Sequence, residues 1–113
     1  MTFDQVSAMI GGIGLPYAYD HFPKRAGPGG PPFICYLFTG SDNFAADGVI
    51  YQRIEGLRVE LYTDAKDPAL EQRVEDALTA AGIAFDRDEE YIRAERMRMT
   101  VYTTQILLDR QEV

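Results

Sequence analysis

The sequence predicts one α+β domain: a mostly antiparallel β-sheet of about four to five strands with two helices packed on one face. Two segments carry apolar residues at helical spacing between capping signals and glycine stops. Other segments alternate, or run apolar, over strand lengths. The order is helix, strand, hairpin, helix, strands, which sets the helices apart from a continuous sheet. A length of 113 residues suits a single domain over residues 1–113.

Thr2 and Gln5 form a capping box, the hydroxyl taking an orphan N–H and the amide reaching back. Phe3, Val6, Met9, Ile10 and Ile13 then make one apolar stripe, which Gly11, Gly12 and Gly14 end. Proline and glycine deny residues 23–32 both ladder and helix, predicting an exposed, mobile loop. This loop is either a surface insertion or an arm that orders against a neighbouring subunit. Lys24 and Arg25 would help the arm on an acidic partner.

Residues 33–38 are apolar on both faces, as in a central strand or under a subunit contact. Residues 39–43 read as a turn. Residues 49–54 and 57–63 read as two strands joined by a tight hairpin at Glu55 and Gly56. In the second, Leu57, Val59 and Leu61 alternate with Arg58, Glu60 and Tyr62, so one face meets a core and the other water or a partner.

Asp67 caps the second helix, Pro68 fits its first position and Glu71 lies near its positive end. Leu70, Val74, Ala77, Leu78 and Ala81 form its buried stripe, and Gly82 stops it. Glu71, Gln72, Arg73, Glu75 and Asp76 are expected to be solvated. Residues 83–85 read as a short strand and 86–90 as a solvated loop. Tyr91 and Ile92 touch the sheet again, residues 97–108 make a long last strand, and 109–113 fray.

Composition narrows function. Hydrophobic residues are 46% and charged residues 26% of the chain, ordinary for a globular domain. Eighteen acidic against eleven basic residues give a net charge of −7, which opposes unassisted binding to nucleic acid. No stretch reaches the roughly 18 apolar residues of a membrane span. The N-terminus lacks a secretory pattern, so the cytoplasm is the expected compartment.

No catalytic, cofactor-binding or metal site is expected. Cys35 is the only cysteine and sits in an apolar run, where a thiol packs as a small hydrophobe. A nucleophilic cysteine needs a base, and nothing marks His21, the only histidine, as its partner. The acidic residues 86–90 contain no glycine and hold Arg87 in their midst, unlike a calcium loop. Seven tyrosines and six phenylalanines remain. Tyrosine gives rigid contact area with a polar tip. Tyr36, Tyr51, Tyr62 and Tyr102 fall in strands, either under another subunit or at the core edge.

Residues 33–47, with the apolar strand and the Ser41-Asp42-Asn43-Phe44 turn, resemble a family of small prophage proteins. Residues 49–64, with their Glu60-Leu61-Tyr62-Thr63-Asp64 ending, resemble the same family. So do the helix opened by Asp67-Pro68 and the segment Glu90-Tyr91-Ile92 before the last strand. This is the tail terminator or tail completion family of long-tailed, non-contractile phages and prophages. The likeness spans about residues 15–106, with a longer Gly/Pro stretch here over residues 26–32.

The resemblance implies a virion structural protein, not an enzyme: a subunit of a ring, of six copies, that caps the tail tube and joins it to the head. Its implied partners are further copies of itself, the tail tube protein and a head-completion or adaptor protein. Neither nucleic-acid specificity nor a membrane is implied, and the implied location is the virion neck, after assembly in the host cytoplasm. Tyr36, Ser41, Asp42, Asn43, Phe44, Tyr51, Tyr62 and Tyr102 are the expected subunit-interface residues. A head-closure or adaptor protein of the same neck is the nearest alternative, and a metabolite-binding regulatory domain a more distant one.

Overall fold

A computed structural model describes residues 1–23, 28–46 and 49–109; the side chains of residues 42–46 and 49–52 lie outside the description. Helix α1 spans Phe3–Gly11 and opens with both halves of the expected capping box. Gln5 N donates to Thr2 Oγ1 at 3.1 Å, and Thr2 N to Gln5 Oε1 at 2.9 Å. Its stripe buries Val6 and Ile10 completely, with Ile13 following. Helix α2, Pro68–Ala80, is capped by Asp67, whose carboxylate accepts from Leu70 N at 3.1 Å. Val74 and Leu78 are buried, and Leu70 and Ala77 pack half-buried beside them.

The strands are β1 (Tyr17–Tyr19), β2 (Phe33–Ala46), β3 (Val49–Thr63), β4 (Asp86–Ile92) and β5 (Met97–Asp109). They form one sheet in the order β1-β2-β3-β5-β4. Every neighbouring pair is antiparallel except β1–β2, which is parallel. Both helices lie on one face, over Ile34 and Tyr36 of β2, Leu57, Val59 and Leu61 of β3, and Tyr102, Ile106 and Leu108 of β5. This is the α+β architecture expected from the sequence.

Several local expectations are corrected. Residues 39–43 do not turn: β2 runs straight through them to Ala46, and β3 is one strand through Glu55 and Gly56. The two glycines face each other across the ladder, where the register shifts between Phe38 and Gly40. Gly40 holds φ +144°, and a Cβ on Gly56 would strike the Thr39 hydroxyl, so these glycines serve a bulge and a close approach.

Residues 86–90 are not a loop but the body of edge strand β4, and residues 83–85 are the connection before it. An edge strand with solvent on most sides needs no apolar alternation, and its charges oppose stray pairing. Glu71 is not solvated; it is 3% exposed under Lys66 and Arg87. Asp109 ends β5 paired with Gln52, and the Met1 ammonium lies 2.9 Å from its carboxylate. Ala81 of the expected stripe is exposed. Residues 24–27 of the loop and the tail 110–113 lie outside the described residues.

Candidate interaction surfaces

On the helix-covered face the aromatic residues belong to folding. Tyr102 is fully buried; its hydroxyl donates to Glu75 Oε2 at 3.0 Å and lies 3.3 Å from the Glu71 carbonyl. Burial first, then the Glu75 hydrogen bond, raises its hydroxyl pKa well above the ordinary value. Tyr36 is 7% exposed and meets Tyr19 edge-on at 5.2 Å. The expectation that Tyr36 and Tyr102 face another subunit is therefore corrected: inward register places both beneath the helices.

Among the described residues no α-helix lies on the other face. Register sets Phe33 against Tyr62, Tyr62 against Met99, and Met99 against Glu90. The Phe33 and Tyr62 rings stack at 4.7 Å. Beside them Arg58 Nε donates to Glu60 Oε2 at 2.7 Å, and the Tyr62 hydroxyl donates to Glu60 Oε1 at 2.9 Å. Burial and then Glu60 raise the Tyr62 hydroxyl pKa. The strand alternation of Arg58, Glu60 and Tyr62 signals their shared face; their mutual bonding has no sequence signature. Tyr62 is half-buried, so of the expected tyrosines it alone among the described side chains reaches a surface.

The third region is an arm. β2 beyond Phe38 and the facing part of β3 extend past β1, which pairs only with Ile34, Cys35 and Tyr36. Gly40 to Ala46 therefore have β3 on one side and, among the described residues, no strand on the other. Ser41, Asp42, Asn43 and Phe44 all fall on this outer strand, and Tyr51 on its partner. Ser41 is exposed, while the side chains of Asp42, Asn43, Phe44 and Tyr51 lie outside the description. A compact chain of this length has a radius of gyration of about 13 Å. The observed value is 15.1 Å, with extents of 51 × 27 × 23 Å, as an elongated body requires.

The opposite edge is also incomplete. β4 covers β5 only from Met97 to Thr103. Beyond it lies an open groove of about 830 Å³ along Thr104 to Leu107, bounded by the connection after α2 and by Met1. Met1 closes its far end: its ammonium donates to the Leu107 carbonyl at 3.2 Å, and its carbonyl accepts from Asp109 N at 2.8 Å. Leu107 is half exposed there.

Burial raises the Cys35 thiol to about 11, with Glu60 and then Asp20 adding to the shift, so the thiol stays protonated at neutral pH. Among the described residues no group of three His, Cys, Asp or Glu side chains is placed to hold a metal ion. No described helix is long and apolar enough to cross a membrane. These features define a class, an α+β domain whose distinctive surfaces are sheet edges and a helix-free sheet face. No family model matches the chain, and no curated protein matches it.

Proposed function

We propose that the chain is the subunit of a closed ring that caps a phage tail tube and joins it to the head. The carrying observation is the β2 arm, unpaired along its outer edge from Gly40 to Ala46 by any strand among the described residues. An exposed edge is a template for another chain, and soluble proteins blunt theirs with charge, proline or cover. β4 follows that rule, with five charged residues in seven: Asp86, Arg87, Asp88, Glu89 and Glu90. The arm does not, carrying only Asp42 as a charge and no proline between Gly40 and Ala46. Its edge fits a contact that a second copy covers.

A ring needs two different patches on each subunit. The arm edge supplies one and the groove along Thr104 to Leu107 of the next copy the other, in the manner of strand addition. The resemblance supports the same reading, because Ser41-Asp42-Asn43-Phe44 lies on the arm's outer strand. Each contact is weak by itself, and ring closure on the tube end adds avidity. The partners proposed are further copies, the tail tube protein and a head-side neck protein.

The test is a charge on the arm edge. Ser41→Lys should keep the wild-type melting temperature and abolish ring formation on purified tail tubes, scored by negative-stain electron microscopy. Rings from the variant at wild-type frequency would exclude the arm as the contact.

A further inference from the structure

The helix-free face holds a cavity of about 460 Å³ between residues 20–23 and the 3-10 turn Arg93–Glu95. Its volume lies within the range of small-ligand sites. The floor is apolar and aromatic: Phe33 stacked on Tyr62, Phe22 edge-on to Phe33 at 5.4 Å, and Met97 beside them. The rim is acidic, with Asp20 on one side and Glu95 on the other, and Glu60 lies behind Tyr62. His21 also stands on the rim, its Nδ1 2.9 Å from Asp20 Oδ2.

Two further facts mark this place. The described residues include two non-glycine residues with positive φ, Asp20 at +66° and Arg96 at +52°. One forms the cavity's rim, and the other stands between its lining residues Glu95 and Met97. Aspartate tolerates left-handed backbone, and Arg96 adopts it as the cap of the 3-10 turn, so both bends shape the cavity's rim. Carboxylates act on its walls, Glu60 against the opposing charge of Arg58. Glu60 and Asp20 both add to the raised thiol pKa of Cys35, after burial, and Glu60 does the same for Tyr62.

We propose that this cavity is a docking pocket for one basic side chain, arginine or lysine, presented by a partner protein. The complementarity is specific to that shape of ligand. A long aliphatic stem lies on the apolar floor while its charged head reaches the carboxylate rim. Aromatic rings attract a cation that approaches their faces. An acidic side chain meets repulsion from Asp20 and Glu95, and a neutral one answers neither rim charge; Glu60, behind the wall, is already held by Arg58 and Tyr62. The pocket lies at the opposite end of the sheet from the arm, so it is independent of the ring contact.

The test uses N-acetyl-arginine amide as probe and N-acetyl-citrulline amide as its neutral isostere, followed by NMR at the Met97 methyl group of the full chain. Saturable shifts are expected with the arginine probe, at least tenfold weaker with citrulline, and reduced at least fivefold by Asp20→Asn with Glu95→Gln. Equal response to the two probes, or none to either, would overturn the proposal. Lys24→Gln with Arg25→Gln separates one more case. Unchanged affinity supports a partner's side chain, and a tenfold gain would show that the chain's own basic residues fill the pocket, overturning it.

Discussion

The two faces of this sheet are built from alternate residues of the same strands, yet they are held together differently. Beneath the helices, Leu57, Val59 and Leu61 of β3 join one continuous core with Val6, Ile10, Val74, Leu78 and Tyr102. On the far side the same strand offers Arg58, Glu60 and Tyr62, bonded to one another above a small cluster of Phe33, Cys35 and Met97. The first face derives its stability from removing apolar area from water. The second combines a modest cluster with a charge-assisted network, and so keeps chemistry available at its surface.

This contrast predicts an order of effects. Leu78→Ala should be the most damaging, lowering stability by about 3–4 kcal/mol, because Leu78 lies fully inside a core closed on all sides. Chemical denaturation measures it, and an unchanged midpoint would show that the helix face is misassigned. Met97→Ala should cost about 2 kcal/mol, the low end for such truncations, since its cluster is smaller and borders the cavity. A loss equal to that of Leu78→Ala would erase the distinction between the faces.

Alkali should weaken both faces, and for stated reasons. Cys35 and Tyr62 on one face and Tyr102 on the other all have folded pKa values raised above their ordinary values. The unfolded chain therefore loses these protons first, and stability falls as pH rises. The thiol contribution is intact below about 9 and is lost as pH climbs through about 11. The tyrosine contribution is intact below about 10 and lost above that. Denaturant midpoints taken between pH 8 and 11 should decline, and Cys35→Ala should flatten the earliest part of the decline. A midpoint that rises over this range would contradict the assignment.

Much of the helix-covered face was legible in the sequence, because helical spacing and capping are local signals. Thr2 with Gln5, Asp67 with Pro68, and the Val6–Ile10 and Val74–Leu78 stripes are examples. The edges were not. Gly56 reads as a turn residue, but its role depends on Thr39 of the facing strand, which local sequence does not reveal. Residues 86–90 read as a loop because an edge strand needs no apolar face. β1 is three residues long and owes its existence to parallel pairing with Ile34, Cys35 and Tyr36. The alternation on β3 is legible, whereas the strand positions of Tyr36 and Tyr102 suggest a surface that their inward register denies them. The cavity was invisible, since Asp20 and Glu95 meet only across the folded sheet.

The smallest expected effect on folding is on the arm, where a surface charge such as Ser41→Lys should shift stability by no more than about 0.5 kcal/mol. Its effect on assembly should be the largest of all, which separates the arm from both faces. The most direct test of the proposed ring function is electron microscopy of particles made after clean deletion of this gene from the phage or prophage that the proposal implies. Tails of abnormal length, or heads and tails left unjoined, are the expected result, and infectious particles with tails of normal length would contradict it.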